Sequence, residues 1–198
     1  MEKKIKNKKN FLHRKGFSFI ESILAVFLVS VGVIAGLKLL TVGLKDSMES
    51  RDQFAASLLA QEGVELVRNI RDNNWVDNDP STGSFNYFPA DDNNRCIADK
   101  DTSGVNISCG VNNGQMRLRL DNDNYYMNSG STNTKFFRRI KFNYCNVGCS
   151  GIARDAAKSV VVTSLVSWNG EVSGTSVDDC NTSTKCAYTQ IILNKWGE

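Results

Sequence analysis

The residues of this chain whose types and spacing could do chemistry gather at two places. Near the start, Glu21 places a carboxylate inside the beginning of an apolar run, just after Gly16 and the basic pair Arg14-Lys15. Beyond that run come six cysteines, Cys96, Cys109, Cys145, Cys149, Cys180 and Cys186, with none before it. The only histidine is His13, inside the basic head, so the rest of the chain has no imidazole for a general base, a proton shuttle or a metal. The chain carries no G-x-S-x-G, no H-E-x-x-H and no phosphate loop. The expectation is a chain that is not an enzyme and needs no cofactor, with carboxylate chemistry left open but unsupported.

All six cysteines lie on the far side of the apolar run, which suits an oxidising compartment. Six cysteines permit 15 pairings. The local set Cys96 with Cys109, Cys145 with Cys149 and Cys180 with Cys186 is preferred, because each pair closes a turn-rich segment. Zinc is the rival, but C-x₃-C and C-x₅-C are not the tighter pairs of zinc ribbons and no histidine helps. Asp121-Asn122-Asp123-Asn124 and Asp91-Asp92-Asn93-Asn94 offer oxygen ligands of the kind calcium takes. Neither has the glycine and terminal glutamate of an EF-hand loop, so Asp121 and Asp123 are weak calcium candidates set against a solvated turn. Trp75, Tyr125, Tyr126, Trp168, Tyr188 and Trp196 either line a binding surface or pack a small core.

These residues need elements to position them, and 198 residues leave room for one ordinary domain plus an accessory segment. The net charge of +3 is unevenly spread: the first sixteen residues carry +6, leaving −3 on the rest. An acidic body does not attract nucleic acid, and the basic run reads as a topology signal. Ser22 to Leu37 carries no charge, and the wider apolar stretch runs from Phe17 to Leu44. As a helix it spans about 40 Å against a hydrocarbon core of ~30 Å, so it tilts or emerges. A secretory signal would have its small-residue cleavage site after the apolar region. Here the small residue, Gly16, comes first.

From Lys45 to Arg71 there is no proline, and Ala55, Leu59, Gly63, Leu66 and Ile70 recur at helical spacing, widened by Ala56, Ala60 and Val67. Gln61, Glu62, Glu65, Arg68, Asn69 and Asp72 take the opposite face, where Glu65 and Arg68 can pair. The pattern predicts one helix from Phe17 to about Arg71, ended by Asp72-Asn73-Asn74; the alternative is two helices broken near Gly43. Beyond it, short β-prone runs alternate with turn clusters. Strands are expected at Ser84 to Phe88, Gln115 to Leu120, Lys135 to Tyr144, Ser159 to Trp168 and Ala187 to Trp196, with Asn169-Gly170 as a hairpin turn. The predicted fold class is α+β: a long N-terminal helix, half membrane-embedded and half amphipathic, packed on an antiparallel β-sheet head.

Gly16-Phe17-Ser18-Phe19-Ile20-Glu21, preceded by basic residues and followed by an apolar helix, resembles the cleavage and methylation motif of type IV prepilins and type II secretion pseudopilins. Every motif position matches, over residues 14 to about 44. Two later stretches, Gln61 to Asp72 and Phe137-Arg138-Arg139-Ile140, are similar to segments of minor-pilin-like prepilins. The resemblance implies that a prepilin peptidase cuts between Gly16 and Phe17 and methylates the new Phe17 amine, making this chain a substrate. It also implies that Glu21 pairs with that amine, on its own or a neighbouring subunit, during assembly. The alternative for Glu21 is a place near the interface reaching headgroups. Many major pilins carry a proline where this chain has Lys38, which favours a minor pilin or pseudopilin. Gly32 and Gly36 form a G-x-x-x-G that either packs helices closely or reflects the commonness of glycine in membrane helices.

The expected organisation is thus a leader at 1–16, a membrane and assembly half-helix at 17–44, an amphipathic half-helix at 45–72 and a disulfide-bearing extracytoplasmic head at 73–198. The N-terminus is expected in the cytoplasm, and the implied partners are prepilin peptidase, other pilin or pseudopilin subunits, the assembly platform and, before assembly, membrane lipid. A membrane-tethered binding module or adhesin that does not polymerise is the alternative.

Overall fold

The helical pattern runs through Gly43 without a break, and the structure has one helix here, α1 (Phe19–Val76). The computed structural model describes Gly16 and residues 18–76, 88–89, 93–101, 104–145, 154–170, 180 and 184–194. Two units divide the chain, Met1–Ser47 and Met48–Glu198. The first has only the apolar part of α1 as regular structure among its described residues. Its helix starts where the Ser18 carbonyl accepts hydrogen bonds from the Glu21 and Ser22 amides, at 3.0 and 3.2 Å. Ser30 and Thr41 donate their hydroxyls to the carbonyls of Val26 and Leu37, at 2.7 and 2.5 Å, so neither hydroxyl is left unpaired on the apolar surface.

The second unit packs the rest of α1 on a seven-stranded antiparallel sheet. Its strands are β1 (Asn93–Asp101), β2 (Gly104–Cys109), β3 (Arg117–Leu120), β4 (Tyr126–Met127), β5 (Thr132–Cys145), β6 (Ser159–Ser167) and β7 (Cys186–Asn194). The 14-residue β5 is the spine. One of its edges carries β6 and then β7; the other carries β1 beside Ile140 and Phe142, and β3 beside Thr132, Asn133 and Phe137. β-Branched and aromatic residues give β5 and β6 their strand preference. Alternation along them sends Ile140, Phe142, Tyr144, Val160 and Val162 into a core shared with Val67 and Ile70 of α1. A second cluster joins Ala56, Leu59 and Ala60 to Leu118, Phe136 and Val166.

At Gly63 the helix lies tight against the sheet. A Cβ there would lie 2.4 Å from Ser164 Oγ and 3.0 Å from Arg138 Cδ. The buried stripe is Ala56, Leu59, Ala60, Gly63, Val64, Val67 and Ile70, with Ala55 and Leu66 only partly covered. It is therefore rotated by about one residue from the spacing read in the sequence, toward Val64.

The structure corrects several sequence expectations. Asp72-Asn73-Asn74 does not end α1, which continues to Val76. Asn73 donates to Asn69 Oδ1 at 3.0 Å and Arg71 pairs with Asp72 at 2.7 Å, so these polar side chains bond along the helix. The strand at Gln115 starts later, at Arg117, because Asn112 and Gln115 form a reciprocal capping box over the short helix α2 (Asn113–Met116). Asn169-Gly170 does not make a tight hairpin. Ser167 faces Cys186 across the β6–β7 ladder, which puts residues 168–185 in the connection. The hairpin of β1 and β2 is absent from the sequence expectation, since β1 is rich in polar and charged residues and the short β2 alternates exposed and half-buried positions. Of the candidate strand Ser84 to Phe88, residues 84–87 lie outside the described residues.

Candidate functional site

Among the described residues of the first unit, the helix has no apolar partner. Between Phe19 and Leu44, sixteen large apolar side chains are at least 50% exposed, from Phe19 at 83% to Val31 at 50%. Covering a Val, Leu, Ile or Phe side chain is worth about 1.5–3 kcal/mol, so this surface forgoes some tens of kcal/mol in water. Exposure on that scale marks a surface meant for lipid or for other apolar helices. The helix is long and apolar enough to cross a membrane. Gly32, Gly36 and Gly43 have open space around the position of a Cβ.

Glu21 stands in the first turn of α1, exposed, and has no salt-bridge or hydrogen-bond partner for its carboxylate among the described residues. That position is electrostatically favourable, because the unpaired amides of the first turn carry partial positive charge. Ser18 and Glu21 hold the N-cap and third positions of the helix, the spacing of a capping box, which is a signal legible in the sequence as well. Lys38 lies 17 residues beyond Glu21, which on a helix is about 26 Å. The two charges bracket a segment close to the ~30 Å hydrocarbon thickness, and lysine at such a boundary extends its ammonium toward water. Gly16 precedes the helix, exposed and with nothing within 4 Å of a Cβ position. Phe17 lies outside the described residues.

In the second unit Cys96 is bonded to Cys109 and Cys180 to Cys186. The first bridge joins facing residues of β1 and β2. Pairing of Cys145 with Cys149 lies outside the described residues, as do the side chains of Asp91, Asp92, Asn93 and Asn94. Asp121 Oδ1 accepts the amides of Asp123 and Tyr125 at 2.9 and 2.8 Å and so shapes a turn in which Asn124 has φ of 64°. No group of three or more Asp, Glu, His or Cys side chains able to hold a metal occurs among the described residues.

Arg138, quoted above only as part of a family-like strand, is the charged centre of the head. It is 1% exposed beneath α1. Its Nη2 donates to the Ala98 carbonyl at 2.9 Å and its Nη1 lies 3.5 Å from Glu62 Oε2. Burial pushes the guanidinium pKa down, opposed by the charges of Glu62 and then Asp99. The closeness of the helix at Gly63 is what brings Glu62 within reach. Lys135 with Asp52 and Lys185 with Glu49, at 2.5 and 3.0 Å, tie the earlier turns of this part of α1 to β5 and to the start of β7. The Glu65–Arg68 pair, at 2.8 Å, is exposed on both sides and adds little.

Compared with known proteins, the chain matches no family model, no curated protein and no solved structure. What stands on its own geometry is an α+β chain whose long N-terminal helix is apolar enough for a single membrane pass and whose head packs the amphipathic part of that helix on an antiparallel sheet.

Proposed function

We propose that this chain is a structural subunit, a minor pilin or pseudopilin, of a type IV pilus or type II secretion-like filament, and that it does no catalysis. The observation that carries this is the helix from Phe19 to Leu44, apolar on all sides, with a lone carboxylate in its first turn. A plain membrane anchor gains from that carboxylate only what a helix N-terminus offers, about 0.3–1 kcal/mol, against a cost of about 2.5–3.5 kcal/mol if it is drawn to the bilayer centre. A helix that must leave lipid and pack beside copies of itself in one register gains from a buried charge satisfied in only one arrangement.

In this reading prepilin peptidase removes residues 1–16 and methylates Phe17, and the resulting cationic amine is the partner of Glu21 in assembly. The basic run holds the N-terminus in the cytoplasm, the head faces outward where disulfides persist, and the partners are other pilin or pseudopilin subunits and the assembly platform. Intact-mass measurement and N-terminal sequencing of the protein from its native membrane or filament fraction test the proposal. A start at methylated Phe17 is expected. An intact Met1 would overturn it and leave a tethered head.

A further inference from the structure

A cavity of about 500 Å³ opens in the second unit beside α1. Its lining has an unusual mixture. Leu66 and Met127 supply apolar wall, and Tyr125 and Tyr126 supply aromatic surface, with Tyr125 left 68% exposed. Glu62, Asp99 and Asp121 bring three carboxylates to the same space against one ammonium, Lys100, and the buried Arg138 guanidinium behind Glu62, which leaves one negative charge in excess.

The carboxylates are not equivalent. Asp99 is spent on structure: its Oδ2 accepts the Asn128 amide, the Ser129 amide and the Ser129 hydroxyl at 3.1, 3.1 and 3.0 Å. Asp121 uses only Oδ1 for its turn, and Glu62 turns only Oε2 toward Arg138. Asp121 Oδ2 and Glu62 Oε1 therefore have no hydrogen-bond donor among the described residues. Two acceptors, an excess of negative charge and aromatic faces form a lining that repels anions. A divalent metal ion is no better a fit, since calcium needs six to eight oxygen ligands and no group of three candidate ligands converges among the described residues. Apolar wall beside carboxylate and tyrosine instead matches a cation that carries its own apolar body.

We propose that this cavity binds an organic ammonium, with the protonated amine at Asp121, on a lining shared with Glu62, and its carbon frame against Tyr125, Leu66 and Met127. Such a group is supplied either by a free small amine or by a lysine side chain of another protein. The site is independent of the filament assignment, because it uses neither Glu21 nor the apolar helix.

The test uses the full chain in detergent micelles and calorimetric titration with three probes: benzylammonium, Nα-acetyl-lysine methylamide and neutral benzyl alcohol, each blanked against micelles alone. Saturable binding of at least one cation over benzyl alcohol is expected, and the tighter of the two identifies the source. Asp121→Asn keeps the Oδ1 acceptor and removes the charge, so it weakens the cation about threefold or more. Tyr125→Leu, at a ring mostly in solvent, weakens it about two- to fivefold and serves where the first variant does not fold. Cations binding no better than the alcohol, or folded variants with unchanged affinity, overturn the proposal.

Discussion

Replacing Gly63 by alanine sets two calculable effects against each other. In an exposed helix the change would stabilise by about 0.8–1.0 kcal/mol, since glycine is the poorer helix former. Here the new methyl meets Ser164 Oγ at 2.4 Å, Arg138 Cδ at 3.0 Å and Ser164 Cβ at 3.2 Å. Turning the hydroxyl leaves Ser164 Cβ where it is, and Arg138 is held by the Ala98 carbonyl. Inserting a methyl into such a site costs about 1–3 kcal/mol, and three simultaneous contacts place it in the upper half of that range. The net expectation is a loss of about 1–2 kcal/mol. Ser164→Ala alone should be neutral or slightly stabilising, because the Ser164 hydroxyl is buried with no hydrogen-bond partner among the described residues. The double variant should then recover about 1 kcal/mol relative to the sum of the singles. Urea denaturation followed by tryptophan fluorescence measures all four corners of this cycle. A Gly63→Ala protein as stable as the parent, or a cycle without coupling, would refute the close-packing argument.

The remaining predictions concern charge and cross-links. Glu21→Ala should leave the head's unfolding transition unchanged while depleting the chain from filaments, read by fractionation; normal incorporation would refute the pairing of Glu21 with the Phe17 amine. Arg138→Ala should cost about 3–5 kcal/mol by stripping the donor from the Ala98 carbonyl and opening a cavity, whereas Arg138→Met, which fills the space without a charge, should cost clearly less in the same denaturation assay. Removing the Cys96–Cys109 bridge, with a sequence separation of 13, should cost about 3 kcal/mol, and removing Cys180–Cys186, with a separation of 6, about 2 kcal/mol, both seen as lowered denaturation midpoints.

Sequence alone determined whatever depends on neighbours along the chain. The apolar run, its bracketing charges, the amphipathic continuation of α1 and the strands around β5, β6 and β7 all follow from local hydrophobic period, which one side chain after another writes into the sequence. The α+β class came with them. Only the tertiary structure decided what depends on residues far apart. It set the glycine at 63 against Ser164, buried Arg138 between Leu59, Glu62 and Ala98, and recruited the polar segment 93–101 as a strand because β5 offered it an edge, and 104–109 because 93–101 then offered one in turn. It also rejected the Asn169-Gly170 turn, since the register that buries Val160, Val162 and Val166 leaves Ser167 facing Cys186. Pairing across a sheet is settled by which face reaches the core, and no local signal carries that information.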